Sequence, residues 1–240
     1  MNEQTESDEK TEKREGLVET LFHGTGTTYD DIAHLATWGR DRKWKEELLS
    51  HIDEPKRILD LACGTGILLL EMAKRFDCHV TGIELRKEYL DLCEARAAQR
   101  GLSDTRFILG NAEEVTLDEQ FDHITSCYIP KYVDLSLVVP HMVDMLAPGG
   151  LFIMQDFAYP SVPWVQVVFD DHFDRMRERC QDHPDWNEVW ELLPDVLKKT
   201  TWIEDTESEM RKAGLVDVTV VEQSMRMSAL VYGRKPTSSN

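Results

Sequence analysis

A glycine-containing segment between two apolar runs constrains the fold more than any other part of this 240-residue sequence. Residues 58–61 have the apolar pattern of a buried strand, Gly64 and Gly66 follow, and a leucine-rich helix pattern begins directly afterwards. Glycine permits a sharp turn and lets a ligand approach main-chain amides without a clash against a Cβ atom. The segment therefore predicts a strand–turn–helix unit with a ligand crevice at the turn.

The rest of the chain predicts an α/β fold with a seven-stranded, mostly parallel sheet and helices on both faces, because strand and helix patterns alternate after the turn. Strands are predicted over 57–61, 79–84, 105–109, 121–127 and 150–155, and helices over 66–76, 87–100, 136–146 and 203–213. The segment Leu146–Gly150 predicts the end of a helix followed by a turn. Two final strand patterns, 216–221 and 226–232, predict a closing antiparallel hairpin.

The predicted domain organisation is a disordered leader over 1–15, a single domain over 16–236 and a short tail over 237–240. Within the domain, 16–54 are expected to be helical, and 157–200 to form a helical insertion. The insertion carries apolar residues at helical spacing, among them Phe169 and Phe173. That pattern fits core packing, and it also fits a cap over a hydrophobic substrate.

Composition excludes several classes of protein. The formal net charge of −18 opposes binding to nucleic acid and electrostatic docking on anionic membranes. No apolar run reaches the roughly 18 residues of a membrane span, and the polar first residues do not resemble a signal peptide. Five dispersed cysteines favour a reduced, cytoplasmic protein. Cys180 and His183 have metal-ligand spacing, but two ligands do not make a site, so no metal is predicted.

Polar side chains at the ends of three predicted strands favour a nucleoside ligand. Asp60 ends the first strand, Glu84 ends the second, and Asn111 follows the third. A carboxylate in the position of Glu84 accepts hydrogen bonds from ribose hydroxyls, and an Asn amide can pair with an adenine edge, although Asn also forms turns. A nicotinamide dehydrogenase would need a third small residue where Leu69 stands and would give no role to Asp60.

In this combination the chain resembles the class I S-adenosylmethionine-dependent methyltransferases over residues 22–235. The resemblance implies S-adenosylmethionine as cofactor, with Asp60 beside its ammonium group. The cofactor-binding residues that it implies are Tyr29, Arg42, Asp60, Ala62, Gly64, Gly66, Glu84, Leu85, Asn111, Ala112 and Cys127.

A closer similarity is to the ubiquinone/menaquinone-biosynthesis C-methyltransferases. It rests on the Tyr29–Asp30 pair, on Trp38–Gly39 with the following Arg-x-Trp-Lys over 42–45, and on the closing segment 229–236. This resemblance implies methylation of a ring carbon of a demethylated quinol, and Tyr29 and Arg42 closing the cofactor site. The chain departs from the family at Ile129–Tyr132, where the family usually carries Gly-Leu-Arg-Asn; Lys131 keeps the charge of that arginine but not its bidentate geometry.

Candidate catalytic residues near the strand ends are Lys131, Tyr128 and Asp156, while His123 is expected to be buried and structural. The expected acceptor is small and hydrophobic, with or without an isoprenoid tail, and a lipid acceptor would require peripheral contact with a membrane. Three alternatives stay open: an O-, N- or S-methyltransferase for another hydrophobic acceptor, a non-catalytic S-adenosylmethionine-binding subunit, and a nicotinamide oxidoreductase.

Overall fold

The computed structural model describes residues 16–237, so the predicted leader over 1–15 and residues 238–240 of the predicted tail lie outside it. The described residues form one seven-stranded sheet in the order β3-β2-β1-β4-β5-β7-β6. The strands are β1 (Arg57–Leu61), β2 (His79–Glu84), β3 (Thr105–Leu109), β4 (Phe121–Cys127), β5 (Leu146–Phe157), β6 (Val216–Gln223) and β7 (Ser228–Arg234). Strands β1 to β5 are parallel, and β7 is antiparallel to both β5 and β6. The predicted fold class is confirmed.

Helices cover both faces of the sheet and the edge where β1, β2 and β4 end. Residues 16–22 form α1, and the later helices are α2 (Tyr29–Ala36), α3 (Asp41–Leu49), α4 (Ile67–Arg75), α5 (Lys87–Gln99), α6 (Leu135–Met145), α7 (Pro163–Arg179), α8 (Asn187–Lys199) and α9 (Trp202–Lys212). The helical insertion predicted over 157–200 contains α7 and α8.

Two predicted boundaries are wrong. The turn predicted over Leu146–Gly150 is the first part of β5, because Gly149 donates to the Lys235 carbonyl and Lys235 donates to the Gly150 carbonyl. The last strand begins at Ser228 rather than 226. Three consecutive residues before it, Ser224, Met225 and Arg226, have left-handed φ angles of 49°, 58° and 64° and form the turn of the hairpin.

The strand order places a crevice between β1 and β4. The chain proceeds from β1 outward to β3 and then returns to β4, which pairs with β1 on its other side. In open α/β sheets such a reversal separates the connecting loops at the carboxyl ends of the two strands, and ligands bind there. The glycine turn after β1 and the segment after β4 therefore face the same crevice.

Helices α1, α2, α7 and α8 form a separate apolar cluster over this crevice. Phe169 and Phe173 of α7 lie inside the cluster, with their ring centroids 4.8 Å apart, and both are almost fully buried. Helix α8 contributes Val189, Trp190, Leu193 and Leu197, which recur at helical spacing on one face. The helical segments thus have an apolar core of their own while they cover the sheet edge.

Candidate active site

A largely apolar cavity lies between the carboxyl ends of the strands and the covering helices. It contains about 1110 Å³ of empty space, including its open mouth. The strand-end wall includes Ala62, Gly64, Glu84, Leu85, Asn111, Ala112, Cys127, Tyr128 and Lys131, and the opposite wall includes Phe22, Tyr29, Ile32, Trp186, Val189, Trp190 and Leu193.

The glycine turn forms part of the strand-end wall. Gly64 lines the cavity with a φ of +56°, which a residue with a side chain rarely adopts. Gly66 does not line the cavity; a Cβ atom there would lie 2.6 Å from the Cys93 sulfur, so this glycine lets α4 and α5 pack closely. The two glycines therefore have different roles, one at the ligand surface and one in the support behind it.

The Glu84 carboxylate is fixed at the end of β2. One oxygen accepts a hydrogen bond from the Gly64 amide at 2.9 Å, and the other accepts one from the Arg86 amide at 2.8 Å. Each oxygen keeps a further acceptor site. Burial raises the pKa of Glu84, and the two amide hydrogen bonds oppose that rise. Two fixed acceptors side by side suit the vicinal hydroxyls of a ribose.

Asn111 forms the turn after β3 and also lines the cavity, so its pairing with an adenine edge stays a prediction. Its side-chain oxygen accepts a hydrogen bond from the Glu113 amide at 2.9 Å, which fixes the turn after β3. The residue also lines the cavity between Gly110 and Ala112. The turn therefore presents Asn111 to the same space as Glu84.

Lys131 and Asp156 form a buried ion pair beside the cavity. Their charged atoms lie 2.6 Å apart, with side-chain exposures of 3% and 0%, and Lys131 also donates to the Tyr128 carbonyl at 2.8 Å. Lys131 lines the cavity, whereas Asp156 lies behind it and accepts a hydrogen bond from the Phe157 amide. Burial lowers the pKa of Lys131 and raises that of Asp156, and their mutual attraction opposes both shifts.

Tyr128 links the segment after β4 to helix α3. It has a left-handed φ of 69°, and its hydroxyl donates to Asp41 at 2.5 Å. Asp41 also pairs with Lys45, whose ammonium lies 4.5 Å from the centre of the Tyr128 ring. Burial raises the pKa of Tyr128 well above 10, so the hydroxyl remains a neutral donor.

The sequence model of a family described as a methyltransferase domain matches residues 52–214. The chain belongs to this methyltransferase family. The match begins shortly before β1 and ends after α9, so it includes the glycine turn, Glu84 and the segment after β4.

Curated relatives and solved structures agree with the family. The chain is 28% identical over 237 residues to the ubiquinone/menaquinone biosynthesis C-methyltransferase UbiE of Agrobacterium fabrum, covering 93% of this chain and 90% of that one. It is 24% identical over 233 residues to the Bartonella tribocorum UbiE, with coverages of 93% and 90%. Geranyl diphosphate methyltransferase in complex with S-adenosylmethionine has the same fold at a TM-score of 0.63 and 16% identity, covering 85% of this chain and 90% of that one. The protein is a class I S-adenosylmethionine-dependent methyltransferase.

The cavity of this methyltransferase fits that cofactor. The acceptor pair of Glu84 matches a ribose diol, and Gly64 leaves the main chain open to a ligand. Of the cofactor residues implied by the sequence, Tyr29, Ala62, Gly64, Glu84, Leu85, Asn111, Ala112 and Cys127 lie in the cavity wall. Their contacts with the cofactor remain predictions.

Four predicted site residues lie outside the wall: Arg42, Asp60, Gly66 and Asp156. Arg42 does not fit the role predicted for it, because its side chain is exposed and α3 presents Asp41 and Lys45 to the interior instead. Neither Asp41 nor Lys45 lines the cavity, but both contact the wall residue Tyr128. Sequence reasoning missed this support, although the i,i+4 spacing of the two residues on one helix face was a usable signal. His123 is buried, as expected, and pairs with Ile58 in the first half of β4, away from the crevice.

Asp60 is buried behind the glycine turn, where Thr125 donates a hydrogen bond to it at 2.7 Å. Burial raises the pKa of Asp60 to about 7. If its carboxylate pairs with the cofactor's ammonium group, binding requires the ionised form, which becomes scarce below that pH. We therefore expect the affinity for S-adenosylhomocysteine to fall up to about tenfold per pH unit below 7, while the ligand's amine stays protonated.

Calorimetric titrations between about pH 5.5 and 7 measure this dependence, because over this range Asp60 changes from mostly protonated to about half ionised. The Asp60→Asn variant separates Asp60 from Glu84, whose pKa is also raised. Its affinity should be lower at pH 7 and flatter with pH. Equal slopes in the wild type and the variant would refute the ammonium contact.

Proposed function

We propose that this methyltransferase transfers the methyl group to a ring carbon of a demethylated quinol of the menaquinone or ubiquinone type. The observation that carries the proposal is the buried Lys131–Asp156 pair at the edge of a largely apolar, aromatic cavity. An apolar cavity suits a quinol ring, and the Lys131 ammonium in its wall suits an ionised ring oxygen. The names of the curated relatives, UbiE C-methyltransferases of quinone biosynthesis, support the same acceptor class.

We assign one set of residues to the cofactor and another to the acceptor. Glu84, Gly64 and Asn111 would hold the nucleoside part of S-adenosylmethionine, which supplies an electrophilic methyl group when bound. A quinol ring carbon becomes nucleophilic once a neighbouring hydroxyl has lost its proton to solvent, and the Lys131 ammonium stabilises the resulting phenolate in the cavity. Asp156 keeps the ammonium charged and in place. The aromatic wall excludes water, which strengthens the interaction between the ammonium and the phenolate.

Helix α8 provides the surface for a tail. Val189, Trp190 and Leu193 line the cavity, together with Trp186 just before the helix. Of the two interpretations left open for Phe169 and Phe173 of α7, core packing fits the structure, because both are buried and neither lines the cavity. Polar replacements there would disturb folding rather than test binding.

Shortening Leu193 to alanine should raise KM several-fold for a quinol that carries an isoprenoid tail and leave KM unchanged for the tail-less ring. The reason is the lost apolar contact, which is worth about 25 cal/mol per Å² of buried surface. Initial rates of transfer from labelled S-adenosylmethionine, measured on both acceptors, test the proposed activity and the groove together.

Leu197→Ala is the matched control for this experiment. Leu197 lies one turn further along α8 in the same apolar cluster but does not line the cavity. Each truncation should destabilise the protein by about 2–5 kcal/mol, whereas only Leu193→Ala should discriminate between the two acceptors. A similar KM change in both variants would contradict the proposal that the cavity-lining residues of α8 bind the tail.

Transfer to oxygen, nitrogen or sulfur of another hydrophobic acceptor is the second candidate. The Ile129–Tyr132 segment favours it, because Ile129, Lys131 and Tyr132 line the cavity and the segment departs from the C-methyltransferase pattern. Mass spectrometric fragmentation of the methylated product distinguishes the two, since C-methylation leaves both quinol hydroxyls free.

Peripheral contact with a membrane is part of the proposal where the acceptor carries a lipid tail. No helix within residues 16–237 is both long and apolar enough to cross a bilayer. At the start of α7, however, Trp164 and Val167 are 61% and 70% exposed, beside the half-exposed Val168. Co-sedimentation with phosphatidylcholine vesicles, and its loss in Trp164→Ser, tests whether this apolar surface meets lipid.

A further inference from the structure

The hydroxyl of Tyr132 has no hydrogen-bond partner within residues 16–237, although it is shielded from water. The residue is 5% exposed and forms part of the cavity wall next to Lys131. Buried polar side-chain atoms nearly always have a partner, and an exception at a ligand cavity points to the ligand as the missing partner. The Tyr132 hydroxyl is therefore a candidate contact for the acceptor.

The neighbours of Tyr132 support this interpretation. Phe22 contacts its ring edge-on at a centroid distance of 6.0 Å, and the Lys131 ammonium lies 4.3 Å from the ring centre. Lys131 itself is held by Asp156 and by the Tyr128 carbonyl. Burial raises the pKa of Tyr132 well above 10, so its hydroxyl is a neutral donor at physiological pH. The acceptor end of the cavity thus presents a cation and a neutral donor side by side.

We infer that Tyr132 makes the enzyme selective for acceptors with a second ring oxygen, to which its hydroxyl donates a hydrogen bond while Lys131 stabilises the ionised oxygen. The inference rests on the proposed function and assigns to Tyr132 the recognition of the second oxygen of the quinol. A ring with one oxygen would satisfy Lys131 and leave the Tyr132 hydroxyl unpaired. The selectivity arises because only a ring with a second oxygen supplies the hydrogen bond that this buried hydroxyl lacks in the free protein.

The test compares two acceptors that differ by one oxygen, 1,4-naphthalenediol kept reduced and 1-naphthol, in the wild type and in Tyr132→Phe. The variant should lower kcat/KM for the diol about tenfold, mainly through KM, because one hydrogen bond is lost. For 1-naphthol the variant should equal the wild type within about twofold, since that ring has no oxygen to pair with Tyr132. Comparing the two proteins on each acceptor cancels the intrinsic difference in reactivity between the rings.

Tyr232→Phe is the matched control, because Tyr232 lies on β7 against His51, outside the cavity. It should leave both acceptors unchanged, and S-adenosylhomocysteine binding by calorimetry should be the same in all three proteins. If Tyr132→Phe affects both acceptors equally, or neither, the inference is overturned while the proposed function stands. If the wild type methylates neither ring on carbon, the proposed function fails and the inference fails with it.

Discussion

Replacing Lys131 with methionine is expected to lower the rate constant of methyl transfer by about 100- to 1000-fold, the usual cost of removing one preorganised group that stabilises developing negative charge. Methionine keeps most of the apolar stem of lysine and removes the ammonium, together with its charge and its hydrogen bond to the Tyr128 carbonyl. Lys131 lines the cavity, so the loss acts directly on the acceptor oxygen. Single-turnover transfer with enzyme in excess measures this step free of product release.

Lys131→Met also lowers the stability of the protein, and this effect must be separated from the effect on the rate of methyl transfer. Without Lys131, the Asp156 carboxylate is left fully buried and unpaired, which destabilises a protein by about 3–5 kcal/mol. In the double variant Lys131→Met with Asp156→Asn, no charge is left unpaired, so stability should recover while transfer stays slow. If the double variant transfers methyl groups at the wild-type rate, Lys131 has no role beyond the ion pair.

Much of the strand-end wall could be predicted from the sequence because it follows from local patterns. Apolar runs define where β1 and β2 end, and parallel pairing brings those ends to one edge of the sheet. Gly64, which follows β1, and Glu84, which ends β2, are therefore placed at the crevice by strand length alone. Cys127, at the end of β4, is placed in the same way because β4 pairs directly with β1.

The rest of the site depends on helix rotation and on contacts between distant segments. Arg42 and Asp41 are neighbours in sequence, yet the rotation of α3 exposes the first and buries the second. Both helices of the insertion have an apolar face, and only their packing decides that α8 rather than α7 lines the cavity. The unpaired hydroxyl of Tyr132 depends on every neighbour of that side chain, which no sequence pattern specifies.

Removing the Glu84 side chain should weaken binding of S-adenosylhomocysteine by about 100-fold, because two hydrogen bonds from ribose hydroxyls to a charged acceptor are lost. The apo protein should not lose comparable stability. Burial raises the pKa of Glu84 in the folded state, so the folded state binds the proton more tightly than the unfolded state. The free energy of unfolding therefore falls as the pH rises between the two pKa values, and the ionised carboxylate stabilises the apo fold little at neutral pH.

Glu84 also holds the glycine turn through the Gly64 amide, so Glu84→Ala could weaken binding through the turn alone. A double-mutant cycle with a cofactor analogue that lacks both ribose hydroxyls separates the two causes. If Glu84 binds the ribose, the analogue loses affinity for the wild type but little more for the variant, since both changes remove the same hydrogen bonds. If Glu84 acts only by supporting the turn, the two losses add. Calorimetry on the four combinations decides between direct recognition of the ribose and support of the turn.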